Sequence, residues 1–154
     1  MTNDDLVNKN YGADLQKDLL EQYKLYVESS LEVTSKRLES NKFHLTLNSI
    51  IFGIAGYLTT INQPAVIILL SAVGTIISVV WIQSIISYKE LNKAKFKVIH
   101  ELEKHMPACV FTCEEKYYKG KGKFQGLTSR EKWCPIIFIV LYALVIALTI
   151  YTFI

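Results

Sequence analysis

The chain has 154 residues, 51% of them hydrophobic, and its 17 lysines and arginines against 14 aspartates and glutamates give a net charge of +3. So small a charge does not favour a nucleic-acid-binding protein, and three cysteines, an odd count, do not indicate a disulfide framework. Three uncharged apolar stretches, roughly 45–61, 65–87 and 135–154, instead predict an integral membrane protein. An apolar helix of about 18 residues crosses ~30 Å of hydrocarbon, and the first stretch lies at the lower edge of that length.

A polar tail and an amphipathic helix precede the first apolar stretch. Residues 1–12 are polar and are predicted to be disordered. From Asp14 onward apolar side chains recur at three- and four-residue steps, and neither Gly nor Pro interrupts the chain before Phe52. One long helix is therefore predicted to enter the membrane near Phe43, and residues 1–43 are assigned as an N-terminal tail and cytoplasmic helix.

Residues 44–87 are predicted to form a transmembrane hairpin of two spans. The only polar break is Asn-Gln-Pro at 62–64, and Pro64 suits the first position of a helix because its missing N–H would have no helical partner there. A second small face in span two, which includes Gly74 and Ser78, is predicted to meet span one.

Span one carries a face of small, weakly polar residues at steps of three and four. One interpretation is close packing between helices, and the other is the wall of a water-filled pore. The carboxamide of Asn48, which flanks this face, would seek a hydrogen-bonding partner in either case, because an unpaired amide is costly in lipid. The face consists of Ser49, Gly53, Gly56 and Thr60, and with the flanking Asn48 it is the candidate pore or packing surface.

Residues 88–133 are predicted to be a cytoplasmic helical extension followed by a basic loop. The second helix continues as an amphipathic stripe to Pro107, and Leu91, Val98 and Leu102 are expected to pack against the first helix. Two capping boxes, at 112–115 and 128–131, predict the starts of a short helix and of the helix that becomes span three. The basic stretch that follows Glu115 is predicted to contact lipid headgroups through Lys116, Lys119, Lys121 and Lys123, with a phosphate ligand as the alternative.

No residue pattern predicts catalysis or a metal site. His105, Cys109 and Cys113 lack the second, complementary pair that a zinc signature needs. The three histidines lie apart in the sequence, with no nucleophile or acid placed around them in a known order. The chain is therefore predicted not to be an enzyme and to use no cofactor.

The distribution of positive charge predicts the orientation. Six lysines and arginines lie in 1–43 and eleven in 88–133, whereas the hairpin turn and residues 134–154, the third predicted span, have none. Because positive charge stays on the cytoplasmic side, the N-terminus is predicted to be cytoplasmic and Ile154 to lie near the outer face. In a bacterium this describes a multi-pass protein of the inner membrane.

Several segments resemble the RipA-like octameric small bacterial membrane proteins. The likeness begins near Asp14 and reaches span three, and its most specific part is Leu91–Ile99. It implies a homo-octamer and names no reaction. The segments that carry it are 23–28, 41–48, 87–103, Phe111 and 127–133.

The sequence thus predicts an all-α membrane protein with three spans, two long helices extending into the cytoplasm, and assembly as a ring-like homo-oligomer. The predicted function is a channel-like or pore-like oligomer without enzymatic activity. The alternative is a non-conducting scaffold that docks a cytosolic protein on its helical crown. A phage holin fits less well because of the large cytoplasmic part.

Overall fold

The computed structural model describes residues 6–7, 12, 14–120 and 130–153. Across these residues the fold is all-helical and contains no strand, as predicted. The long helices are α1, of 46 residues, and α2, of 40 residues; a short α3 and a 21-residue α4 follow. Their bounds are Leu15–Thr60 for α1, Pro64–Glu103 for α2, Val110–Gly120 for α3 and Trp133–Phe153 for α4.

The helices are divided between two compact units. The extension unit consists of Met1–Ser35 and Tyr88–Phe124, and the apolar unit of Lys36–Ser87 and Gln125–Ile154. The start of α1, the end of α2 and α3 belong to the extension unit, whereas the rest of α1 and α2 and all of α4 belong to the apolar unit.

The turn between α1 and α2 is closed by a left-handed residue. Asn62 has a φ of 53°, the conformation that commonly ends a helix. The N–H of Gln63 donates to the carbonyl of Leu58 over 3.5 Å, and the N–H of Asn62 donates to that of Thr59 over 3.5 Å. This is the Schellman pattern, and it satisfies carbonyls at the end of α1 before α2 begins at Pro64, its predicted first residue.

Two helices of the described residues, α2 and α4, are long and apolar enough to cross a membrane. The predicted span within α1 is not among them; polar residues such as Asn48 and Thr60 interrupt its shorter apolar stretch. Large apolar side chains such as Ile76 and Leu148 are exposed on the outside of the apolar unit. Such a surface is unfavourable in water and suits hydrocarbon.

The extension unit has a small apolar core to which α1 and α2 both contribute. Leu19 of α1 and Ile99 and Leu102 of α2 are buried. Lys95 adds a polar contact, because its Nζ donates to Ser29 Oγ over 2.6 Å. Leu91 was predicted to pack against α1 but is 46% exposed. The apolar stripe of α2 is therefore only partly covered.

Helix α3 starts earlier than its capping box predicts. It begins at Val110 rather than near Thr112, and the N–H of Cys113 donates to the carbonyl of Cys109 over 3.0 Å. The earlier start is explained by a contact with another helix. The carboxylate of Glu103 on α2 accepts hydrogen bonds from N–H groups at the start of α3, and the local sequence does not reveal this contact. Thr128 and Ser129 of the second capping box lie outside the described residues.

Candidate functional site: a polar helix junction and an exposed small-residue face

Asn48 lies at a junction where α1, α2 and α4 meet inside the apolar unit. Its Oδ1 accepts a hydrogen bond from Ser78 Oγ over 2.9 Å and lies 3.3 Å from Tyr142 Oη. Its Nδ2 donates to the carbonyl of His44 over 2.9 Å, and Tyr142 Oη donates to the carbonyl of Asn48 over 3.0 Å. Asn48, Ser78 and Tyr142 are all 0% exposed. The amide therefore finds its partners within one chain, and these bonds link three helices.

A close approach between α2 and α4 lies beside this junction. Gly74 is buried against the ring of Tyr142, and a Cβ at position 74 would lie 2.2 Å from Tyr142 Cζ. Real Cβ atoms do not approach that closely, so α4 can place its tyrosine at Asn48 only because α2 has no side chain there. Glycine is thus a packing requirement of the junction.

Further polar contacts connect α1 to the rest of the apolar unit. Trp81 Nε1 donates to Asn41 Oδ1 over 2.9 Å. The guanidinium of Arg37 forms an ion pair with Glu131, which lies in the helical turn before α4, and Arg37 Nε donates to that carboxylate over 3.0 Å. Both charged side chains are largely shielded from solvent, at 14% and 20% exposed. Because both side chains are shielded, removing one partner of this pair should cost more than at an open surface.

The other four members of the predicted face are separated from Asn48. Ser49, Gly53, Gly56 and Thr60 are exposed, and a Cβ at either glycine would meet no other atom within 4 Å. The hydroxyls of Ser49 and Thr60 donate to carbonyls of their own helix, over 2.8 and 2.7 Å. The face is therefore smooth, narrow and uncovered by this chain.

In the extension unit, the carboxylate of Glu103 connects all three helices. It accepts hydrogen bonds from Phe111 N–H (2.7 Å), Thr112 N–H (2.9 Å), Thr112 Oγ1 (2.6 Å) and Tyr23 Oη (3.3 Å). Burial alone would raise the pKa of Glu103, but these hydrogen bonds outweigh it and lower that pKa. Burial, and then the charge of Glu103, raises the pKa of Tyr23, which keeps its hydroxyl a donor. Glu103 thus acts as the anion at the N-terminus of α3.

The structure places only some of the remaining predicted residues. Lys116 is exposed on α3, while Lys121, Lys123 and the side chain of Lys119 lie outside the described residues. Cys113 is exposed, and Cys109 Sγ lies 3.5 Å from the carbonyl of Glu103. Within the part of the chain that the structure describes, no group of three or more His, Cys, Asp or Glu side chains could hold a metal ion.

Sequence reasoning missed the two residues that complete these networks, Tyr142 and Glu103. A signal for Tyr142 was present, because a phenol in the middle of an apolar span needs a hydrogen-bonding partner. The signal for Glu103 was weaker. A glutamate at the end of one helix can bind the start of the next, but many such glutamates are solvated.

Two long apolar helices, an exposed apolar surface and a polar junction buried among three helices are typical of an α-helical membrane protein. The sequence model of the octameric membrane protein family (8xMP) matches residues 20–151, and the chain belongs to that family. The match confirms the resemblance, and it extends from the first turns of α1 to near the end of α4. No curated protein and no solved structure matches the chain.

Proposed function

We propose that the protein is a channel-like oligomer of eight chains without enzymatic activity. In this proposal the C-terminal part of α1 crosses the bacterial inner membrane as a third span, and the N-terminus is cytoplasmic. Membership of a family of octameric membrane proteins supports self-association in a bilayer. The distribution of lysine and arginine supports the orientation.

The observation that carries the proposal is the uncovered small face of α1. Helices in lipid associate through close packing of small residues, and weakly polar small residues also suit a wall in contact with water. Ser49, Gly53, Gly56 and Thr60 meet both requirements, and large apolar side chains are exposed beside them on α1 as well as on α2 and α4. The face of α1 is therefore the surface that would meet either a neighbouring chain or the central axis.

A scaffold is the second candidate, and a feature of the extension unit favours it. Val110 and Tyr117 of α3 are 61% and 76% exposed, although they lie outside every predicted span. Exposed apolar and aromatic side chains of this kind are frequent where a protein partner binds. In this alternative the ring does not conduct, and a cytosolic partner docks on the extension unit.

A leucine at position 53 should separate these proposals. Gly53→Leu places a large side chain on the uncovered face, so ion flux through protein-containing liposomes should fall at least about tenfold if the face lines a pore. Native mass spectrometry on the same preparation should still show the octamer. The control is Ala147→Leu, which makes a similar change at an exposed position of α4.

Each outcome of that experiment has a distinct meaning. Loss of flux with an intact octamer places Gly53 at the pore, whereas loss of the octamer places it between neighbouring chains. A wild-type protein that conducts nothing at any voltage, pH or lipid composition tested contradicts the channel and supports the scaffold.

The topology is tested by thiol labelling. In a Cys134→Ser variant the remaining thiols are Cys109 and Cys113, which are both exposed. A membrane-impermeant maleimide added to intact spheroplasts should leave them unlabelled, and the same reagent should label them in inverted membrane vesicles. Strong labelling in spheroplasts would reverse the proposed orientation.

A further inference from the structure

A cleft in the extension unit lies between the C-terminal part of α2 and α3. Its volume is about 480 Å³, within the range of small-molecule sites, and it opens to solvent. Aromatic and acidic side chains from the two helices share the lining. The lining residues are Phe96, His100, Phe111, Glu114, Glu115 and Tyr118.

Two phenylalanine rings of the lining meet edge to face. The rings of Phe96 and Phe111 have centroids 5.9 Å apart and an interplanar angle of 71°, and the ring of His100 lies 6.3 Å from that of Phe96. Because the Phe96 and Phe111 rings are nearly perpendicular, their faces point in different directions and can form two walls of the cleft. The face of an aromatic ring is the negative side of its quadrupole, so it attracts cations.

The charged part of the lining is acidic. Glu114 and Glu115 follow one another on α3, and none of the six lining residues is a lysine or arginine, although the chain as a whole has an excess of them. His100 Nδ1 lies 3.5 Å from Glu115 Oε2 and pairs with it as an ion only when the histidine is protonated. The cleft therefore combines apolar walls with negative charge.

We propose that the cleft between α2 and α3 binds an organic ammonium ion, such as a trimethylammonium group, with its methyl groups against Phe96 and Phe111 and its charge beside Glu114. Aromatic walls next to a carboxylate provide both the cation–π attraction and the apolar contact that such an ion needs. An anion would meet two carboxylates there. A divalent metal would meet more apolar surface than its coordination chemistry uses.

Choline and its neutral isostere 3,3-dimethylbutan-1-ol are the appropriate pair of probes, because they differ in charge and hardly in shape. In isothermal titration with the full-length protein in a non-ionic detergent, choline should bind at least about tenfold more tightly than the alcohol. Glu114→Gln and Phe111→Leu should each weaken choline binding by about tenfold. Glu101→Gln, which changes a glutamate paired with Lys104 outside the cleft, should leave choline binding unchanged.

The ammonium group could belong to a free solute or to a lipid headgroup, and nanodiscs distinguish the two sources. If the headgroup can reach the cleft, choline binding should be weaker in nanodiscs that contain phosphatidylcholine than in nanodiscs of phosphatidylglycerol alone. Equal choline binding in both would identify a free solute.

Equal affinity for choline and the alcohol would overturn the proposal. So would choline binding that Glu114→Gln and Phe111→Leu both leave unchanged. Since Glu114 is exposed on α3, the Gln variant should keep the fold, and thermal unfolding of the wild type and the variant verifies this.

Discussion

Replacing Gly74 by alanine should destabilise the apolar unit by about 1–3 kcal/mol, the usual cost of overpacking a well-packed site. The new Cβ would lie 2.2 Å from Tyr142 Cζ and 2.6 Å from Tyr142 Oη, so the ring has to leave its place. When the ring moves, the hydroxyl loses its hydrogen bond to the carbonyl of Asn48. Thermal unfolding in detergent measures the effect.

Two controls show whether the clash is the cause. Gly56→Ala makes the same chemical change on α1, where a Cβ meets nothing within 4 Å, and it should leave the stability of the single chain unchanged or slightly raised. Tyr142→Leu should remove most of the extra cost of Gly74→Ala, so that the double variant is less destabilised than the sum of the two single changes. Additive effects would contradict the proposed contact.

Removing the carboxylate of Glu103 should have a comparable effect in the extension unit. Glu103→Ala removes the acceptor of four hydrogen bonds and leaves N–H groups at the start of α3 without a partner. The free energy of unfolding should fall by about 3 kcal/mol. Hydrogen exchange of the amides of Phe111 and Thr112 should become much faster. Glu101→Ala removes only an exposed ion pair with Lys104 and should cost less than about 1 kcal/mol. Unchanged exchange in Glu103→Ala would show that the carboxylate does not hold α3.

The same carboxylate gives the extension unit a dependence on pH. Because folding lowers the pKa of Glu103, its contribution to stability is complete above the usual pKa of 4.5. That contribution is lost as the pH falls from there through the lower pKa of the folded state. In unfolding measurements over a series of pH values, Glu103→Gln should reduce the loss of stability at acid pH. A pH dependence identical to that of the wild type would exclude Glu103 as its source.

The backbone organisation of this chain was accessible from local sequence. The turn at Asn62 and the start of α2 at Pro64 follow from residues that are neighbours in the chain. The position of Asn48 in the junction did not follow in the same way, because its bonding partners, Ser78 and Tyr142, are 30 and 94 positions away. The start of α3 predicted from the capping box at Thr112 was wrong for the same reason, because Glu103 on α2 binds the first turn of α3.

The small face predicted on α1 shows how a periodic pattern can combine two roles. Asn48 and Ser49 are adjacent in sequence, but one helical step of about 100° places them on different sides of α1. Asn48 faces the interior of the chain, and Ser49 faces outward with Gly53 and Gly56. Hydropathy and spacing do not distinguish these sides, because the difference depends on where α2 and α4 pack.

The self-contained bonding of Asn48 also bears on how single chains associate. A carboxamide that relied on a neighbouring chain would remain without hydrogen bonds in its apolar surroundings until that neighbour arrived, which is energetically costly. Here the amide is satisfied by groups of its own chain. Each chain can therefore satisfy this amide before it meets a neighbour, so self-association does not have to supply the missing hydrogen bonds.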